Sequence, residues 1–193
     1  MDQNDKMDDS KAKVYAKQPS RRVRNTVLFF VLMGLWLLLD IVTKQYFNSS
    51  GLLGEALGDS FLGIFHFRLV HNTGAAWGLF GGSTMVLGVM SAIVSLIIMG
   101  YFFFVAARAR NLEIVGLALI LAGGIGNGID RFALGYVVDF IEFSFMQFPV
   151  FNVADIGVTC GFAMVVLSML LSWRAESNEK TSVTSDHKED GSL

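Results

Sequence analysis

Residues 84–107 read TMVLGVMSAIVSLIIMGYFFFVAA and contain no charged side chain. An α-helix needs about 20 consecutive apolar residues to cross the hydrocarbon core of a bilayer, so this segment is long enough to span a membrane. Three further segments have the same character, at approximately 26–47, 112–130 and 154–173. The sequence therefore predicts four transmembrane helices, numbered here as spans one to four in chain order.

Charged residues are concentrated outside these spans. The chain is 53% hydrophobic and 17% charged, and its basic residues cluster before span one, between spans two and three, and after span four. Because cytoplasmic segments of membrane proteins are enriched in Lys and Arg, we expect both termini in the cytoplasm. Residues 1–25 and 176–193 are expected to be charged, disordered cytoplasmic tails that flank a membrane domain of residues 26–175.

Two loops are predicted on the opposite, outer side of the membrane. In the first loop, residues 61–70 alternate between apolar and polar side chains and are bounded by glycine, which favours short strands in a small β-sheet. The second loop, residues 131–153, is rich in aromatic residues and is expected to rest in the headgroup layer. The predicted fold class is an all-α membrane protein, a four-helix bundle with a small β-sheet in its first periplasmic loop.

Four aspartates lie in or beside the spans, where an ionised carboxylate is costly. The predicted topology places all four near the outer face: Asp40, Asp130, Asp139 and Asp155. Asp40 has Lys44 one helical turn away, and Asp130 precedes Arg131. Ion pairing or helix capping accounts for both of these aspartates, so we interpret them as structural supports.

Asp139 and Asp155 have no cation within a few residues. Two carboxylates in a desolvated site tend to share one proton, because like charges in contact do not both ionise at low cost. Such a pair can hydrolyse a peptide, since the ionised member takes a proton from water and the protonated member donates one to the substrate. A cap at the start of span four and an interfacial loop acid fit the spacing equally well.

Several smaller polar and glycine patterns accompany these acids. Three asparagines are predicted at the same depth as the acids: Asn72, which Thr73 follows, Asn127 and Asn152. Their side chains could orient the carboxylates or a substrate backbone, although turn formation or helix capping explains each of them singly. The G-x-x-x-G steps at 124–128 and 157–161 predict close packing of spans three and four. Cys160 lies in an apolar run and is expected to be a small buried side chain.

The absence of other motifs narrows the chemistry. The sequence has no H-E-x-x-H zinc signature and no G-x-S-x-G elbow, and it singles out no serine near Lys44. A lone cysteine provides neither a disulfide nor a Cys-based metal site within the chain. A net charge of -2 without a basic block gives no indication of a nucleic-acid partner. Once these metal-dependent, serine-dependent and cysteine-based sites are set aside, catalysis by aspartate is the chemistry that remains.

Four separated motifs, in this order along the chain, resemble the bacterial lipoprotein signal peptidases, or signal peptidase II. They are DIVTK at 40–44, HNTGAAWG at 71–78, GGIGNGIDR at 123–131 with VVDF at 137–140, and FNVAD at 151–155. The resemblance implies an aspartate dyad at Asp139 and Asp155. It further implies a set of residues that line, buttress or support the site: Asp40, Lys44, Asn72, Asn127, Asp130, Arg131, Asn152 and Ala154.

The same resemblance implies an aspartyl endopeptidase of the bacterial plasma (inner) membrane that uses no metal or organic cofactor. Its implied substrate is a prolipoprotein whose cysteine carries diacylglycerol, cut on the N-terminal side of that cysteine. We expect a monomer in contact with membrane lipids and no nucleic acid.

Two other functions are compatible with a four-span topology. A transporter or channel would use Asp40, Asp130 and Asp155 as an ion path, but it would need polar residues at every depth, and residues 93–100 and 164–171 are almost wholly apolar. A non-catalytic assembly factor would bind signal peptides in a groove between spans and leave the aspartates with structural roles.

Overall fold

The structure, a computed structural model, describes residues 19–74 and 83–189. These residues form four helices and three strands. In chain order the elements are α1 (Arg21–Ser49), β1 (Ala56–Phe61), β2 (Phe65–Asn72), α2 (Thr84–Val105), α3 (Asn111–Ala133), β3 (Val137–Phe143) and α4 (Val153–Glu189).

Four helices of the described chain are long and apolar enough to cross a membrane, which confirms the predicted spans. They are Arg21–Ser49, Thr84–Val105, Asn111–Ala133 and Val153–Ala175, with mean hydropathy between 1.8 and 2.3 in their most apolar windows. Helix α4 continues past its span to Glu189, so it covers much of the expected C-terminal tail. Most of the expected N-terminal tail lies outside the described residues. The division into tails and a central domain stays a prediction.

Helix α3 is the centre of the bundle and packs against α1, α2 and α4. Its buried face is built from small and aliphatic residues, including Ala118, Leu121 and Ala122. Helices α1 and α2 instead expose large apolar side chains such as Leu35 and Leu96, as lipid-facing surfaces do. The fold therefore places one helix in the interior and the other three around it.

Glycines set the close approach of α3 and α4. A Cβ atom added to Gly116 would lie 2.7 Å from the carbonyl oxygen of Gly161, and one added to Gly123 would meet the carbonyl oxygen of Ala154. Only glycine lets these two backbones approach so closely.

The predicted close packing of spans three and four is confirmed, but of the four glycines in the predicted G-x-x-x-G steps only Gly161 faces the partner span, where it meets Gly116. Gly124 and Gly128 face Ser95 and Ser91 of α2, and Gly157 faces Trp36 of α1. A repeat of small residues marks a close-packed helix face, but it does not say which neighbour packs there.

The predicted small sheet is confirmed, and it gains a strand that the sequence did not predict. Its order is β1-β2-β3, all antiparallel, and β3 comes from the aromatic second loop. Several apolar side chains of this loop face inward: Phe140 is buried and stacks on Phe47 of α1, with ring centroids 4.2 Å apart. Apolar contacts with α1 thus hold the sheet against one end of the bundle, called the sheet end below.

Candidate active site

Four parts of the chain converge at the sheet end: the last turns of α1 and α3, the paired ends of β2 and β3, and the first turn of α4. Residues Val70 and Asp139 are partners in the antiparallel register of β2 and β3, as are Asn72 and Val137. The register brings Asn72 to the Asp139 carboxylate, while the close packing of α3 and α4 brings Asn127 to Asp155. All ten residues singled out from the sequence meet here.

Lys44 is the buried cation of this region, with a side chain only 4% exposed. Its Nζ lies 2.8 Å from Asp40 Oδ2 and 3.1 Å from Asp130 Oδ2, and it donates to Asn127 Oδ1 at 2.8 Å. A buried charge is tolerated only when it is paired and hydrogen-bonded, which is the case here.

The two carboxylates that pair with Lys44 also accept hydrogen bonds from main-chain N–H groups. Asp40 Oδ1 accepts from the N–H of Ala154 at 2.8 Å, and Asp130 Oδ2 accepts from the N–H of Val138 at 3.1 Å. One ion cluster therefore fixes α1, α3, β3 and α4 relative to one another. Arg131, the neighbour of Asp130 in sequence, instead donates to the carbonyl oxygen of Asn127 at 3.1 Å.

Asn152 joins the two candidate catalytic acids and is fully buried. Its Nδ2 donates to Asp139 Oδ1 at 2.7 Å and to Asn127 Oδ1 at 3.0 Å, while its main-chain N–H donates to Asp155 Oδ2 at 3.1 Å. Its own Oδ1 accepts from the N–H of Asp155 at 3.0 Å. This reciprocal pair has the form of a capping box at the start of α4. The sequence-based cap interpretation of Asp155 and its place beside Asp139 are thus compatible.

The remaining oxygens of the two acids also accept hydrogen bonds. Asn72 Nδ2 donates to Asp139 Oδ2 at 2.9 Å, and Asn72 Oδ1 in turn accepts from the N–H of Gly74. Asn127 Nδ2 donates to Asp155 Oδ1 at 2.8 Å. Each carboxylate oxygen therefore has an N–H donor, and the oxygen of each of the three asparagine side chains accepts a second hydrogen bond that fixes the orientation of its amide.

Burial and a neighbouring negative charge perturb Asp139, which is 2% exposed. Loss of solvent, and secondarily the charge of Asp155, raise the pKa of Asp139 from 3.8 to about 7. The hydrogen bonds from Asn72 and Asn152 oppose this shift without cancelling it. Asp139 is consequently poised to hold or release a proton near neutral pH.

Both acids line a cavity of about 460 Å³. Its polar lining consists of Arg131, Asn72 and Asn127 as well as the acids, and its apolar wall includes Phe143, Phe148, Pro149, Val150, Phe151 and Ile156. Cys160 also lines it and is exposed, which contradicts the expectation of a buried thiol. Within the described residues, no group of three or more His, Cys, Asp or Glu side chains could hold a metal ion.

Two supporting contacts were not identified from the sequence. Trp36 of α1 donates from Nε1 to the carbonyl oxygen of Val153 at 3.2 Å, and Val153 lies between the capping-box residues Asn152 and Asp155 in sequence. His71 accepts or donates a hydrogen bond with Asn48 at 2.8 Å and stacks on Tyr136, and burial lowers its pKa. A tryptophan in the middle of span one was the available signal for the first contact, since a buried indole N–H needs an acceptor.

Comparison with known proteins places this arrangement in a family. The family model described as signal peptidase (SPase) II matches residues 32–171. The lipoprotein signal peptidase of Microcystis aeruginosa is 41% identical over 143 residues, which cover 72% of this chain and 90% of that protein. That of Trichormus variabilis is 42% identical over 143 residues, covering 74% and 89%.

Solved structures agree with the sequence comparison. A bacterial membrane enzyme is 28% identical to this chain with a TM-score of 0.66, and the match covers 74% of this chain and 87% of that one. A second structure of a bacterial membrane enzyme gives a TM-score of 0.64 at 28% identity. The predicted resemblance is confirmed, and the chain belongs to the signal peptidase II family of aspartic peptidases.

Proposed function

We propose that this protein removes signal peptides from prolipoproteins and that Asp139 and Asp155 are its catalytic dyad. The observation that carries the proposal is the position of Asn152 between the two acids: its side-chain Nδ2 donates to Asp139 Oδ1, its main-chain N–H donates to Asp155 Oδ2, and both acids line one cavity. Two carboxylates that are hydrogen-bonded to one residue and line one cavity can share a proton and a water molecule.

The surroundings of the two acids favour different roles for them. Asp155 lies in the first turn of α4, where the helix dipole favours an anion, and Arg131 is near enough to attract it. Asp139 lies on a strand, away from any helix terminus, and its carboxylate accepts hydrogen bonds from side-chain amides, whereas the Asp155 carboxylate also accepts one from a main-chain N–H. We therefore assign the resting proton to Asp139 and the general base to Asp155.

The reaction then proceeds without any other protein group changing protonation. Asp155 takes a proton from water as the water oxygen bonds to the scissile carbonyl carbon, and Asp139 donates its proton to the carbonyl oxygen. When the C–N bond breaks, Asp155 gives its proton to the leaving amine and Asp139 recovers one from the hydroxyl of the intermediate. The dyad returns to its starting state.

The substrate is a prolipoprotein whose cysteine carries diacylglycerol, and the cut lies on the N-terminal side of that cysteine. Relatives that are lipoprotein signal peptidases support the substrate class. The apolar wall of the site cavity supports the lipid requirement, because it offers Phe143, Phe148 and Ile156 to a hydrocarbon group beside the polar dyad.

The orientation that we propose has both termini in the cytoplasm and the dyad on the periplasmic side of the bacterial inner membrane. Basic residues support it, because they gather at the end of the bundle opposite the sheet end. There Arg21 donates to the carbonyl oxygen of Ala109, and Arg24 bonds to Asn111 Oδ1. Lys and Arg favour the cytoplasmic side. We further propose that the enzyme acts as a monomer among membrane lipids.

The decisive experiment offers purified protein, in detergent and in lipid nanodiscs, a prolipoprotein with and without diacylglycerol on its cysteine. We expect cleavage of the modified form only, with the lipidated cysteine as the new N-terminus. Binding of the modified form without cleavage would favour the assembly-factor alternative. Equal cleavage of both forms would contradict the lipid requirement.

A further inference from the structure

A second cavity, of about 340 Å³, lies between α2, α3 and the start of α4. It shares Asn127, Arg131 and Asp155 with the cavity described above. The general base is therefore accessible from two sides: one framed by β3 and the aromatic loop, the other by two membrane-spanning helices. The mechanism proposed above uses only the first side.

The second cavity is a groove along the bundle. On α2 its lining residues recur at spacings of three and four and form one helix face: Leu87, Met90, Ser91, Val94, Ser95 and Ile98. On α3 the lining runs from Ile120 to Arg131 in the same way. At a rise of 1.5 Å per residue, each face is about 16 Å long, or three helical turns. The groove leads from membrane depth to Asp155.

Two hydroxyl groups lie in this groove without hydrogen-bond partners among the described residues. Ser91 and Ser95 are half-buried, and Ser95 Oγ lies 3.1 Å from where a Cβ of Gly124 would be. Hydroxyls in membrane helices usually bond to the carbonyl oxygen one turn earlier, as Thr26 and Thr43 do here at 2.8 Å. The two serines are therefore the available polar groups of an otherwise apolar face.

We propose that this groove binds the signal-peptide part of the substrate as an apolar helix, and that Ser91 and Ser95 bond to its peptide groups near the cut. The inference rests on the proposed function. A peptide bond within a helix must be unwound before water can reach its carbonyl carbon, and the freed N–H and C=O groups find no partner in lipid. Serine hydroxyls supply both a donor and an acceptor at that point.

The shape of the groove fits this occupant better than an acyl chain. A hydrocarbon chain gains nothing from two hydroxyls, and the aromatic wall beside Phe143 and Phe148 already offers it an apolar surface. A volume of 340 Å³ cannot enclose three turns of helix, so the groove receives one face and leaves the other to lipid. Glycines at 123 and 124 in its floor favour small side chains on that face.

Photocrosslinking identifies the occupant directly. A benzophenone amino acid replaces Val94, which lines the groove, or Ile93, which lies outside it, in the inactive Asp155→Asn protein. Each protein is irradiated with diacylglyceryl-modified prolipoprotein, and the products are mapped by mass spectrometry. We expect crosslinks from position 94 to the signal peptide and few from position 93. Crosslinks from position 94 to the acyl chains, or equal yields from both positions, would overturn the proposal.

Substitutions test the role of the hydroxyls. In the otherwise native protein, Ser95→Leu fills the groove and is expected to lower kcat/KM about tenfold or more, whereas the matched Ala92→Leu change on another face of α2 leaves it unchanged. The double change Ser91→Ala and Ser95→Ala is expected to lower kcat/KM, with Ser168→Ala, a buried serine of α4 outside both cavities, as its control. Native kcat/KM in both serine variants would show that the groove does not bind the signal peptide.

The two proposals fail in different ways. If the native protein cleaves no lipidated prolipoprotein, the proposed function is wrong. If it cleaves normally but position 94 does not reach the signal peptide, the function stands and the groove has another occupant.

Discussion

The two ends of the helix bundle are held together by different interactions. At the end opposite the sheet, Phe29 and Phe102 stack with ring centroids 3.7 Å apart, and buried aliphatic residues surround them. At the sheet end, Lys44 and Asn152 instead connect the elements through hydrogen bonds and ion pairs. Apolar contacts tolerate substitutions of similar volume, whereas a buried polar network fails when one member is lost.

The polar network marks the sheet end as the part of the fold that serves chemistry. Burying polar groups costs free energy unless every group is satisfied, so a network of this size is retained where the site needs fixed charges. The opposite end contains neither the dyad nor the ion cluster of Lys44. Substitutions at the two ends should therefore differ in kind, with loss of turnover confined to the sheet end.

The largest expected effect is at the dyad. Replacing Asp139 or Asp155 by Asn should lower kcat by a factor of about 10⁴ or more. An Asn at 155 cannot take the proton from water, and an Asn at 139 cannot give a proton to the carbonyl oxygen. Steady-state cleavage of a lipidated prolipoprotein at saturating substrate measures kcat, and circular dichroism and thermal melting test whether the variants remain folded. The isosteric change Glu113→Gln on α3, outside both cavities, is the control. A folded Asn variant with native kcat would remove that residue from the dyad.

The next largest effect concerns Lys44. Replacing it by Met should destabilise the fold by about 3–5 kcal/mol, because two buried carboxylates lose their cation. Thermal unfolding in detergent measures the change, and the additional substitution Asp40→Asn should recover part of it. If Lys44→Met unfolds at the native temperature, the ion cluster does not hold the sheet end together.

The pH dependence of stability sharpens the contrast within the sheet end. The folded-state pKa of Asp139 is raised to about 7 from 3.8, so the folded protein holds a proton that the unfolded chain releases. Stability should therefore fall as pH rises from about 4 to 7, by up to about 4 kcal/mol. Asp139→Asn removes this loss, so the variant should melt at a higher temperature than the native protein at pH 8 and near the native temperature at pH 4. A melting difference that is constant across this range would contradict the raised pKa.

Much of this site could be predicted from the sequence because membrane burial makes polar residues conspicuous. Asp139 and Asp155 stood out for their lack of a neighbouring cation, and the motifs supplied the other members. Individual side-chain contacts between distant segments could not be predicted. The adjacent positions of Asp130 and Arg131 suggested that these two residues form an ion pair. In the structure Asp130 pairs with Lys44, because the packing of the helices and not the distance in sequence decides which charges meet. The third strand was missed for a similar reason, since aromatic residues favour both interfaces and buried sheets.

The most direct test of the comparison uses two fully buried asparagines at opposite ends of the bundle. Asn152 joins the dyad, while Asn25 donates to the carbonyl oxygens of Ala106 and Ala109 at 2.9 and 3.3 Å. Replacing either by Ala should destabilise the fold by about 1–3 kcal/mol, because buried polar partners lose a hydrogen bond. Only Asn152→Ala should also lower kcat, by about 100-fold, since a misplaced acid loses its alignment with water and substrate. Equal kcat in the two variants would mean that the amide packs the site without positioning the acids.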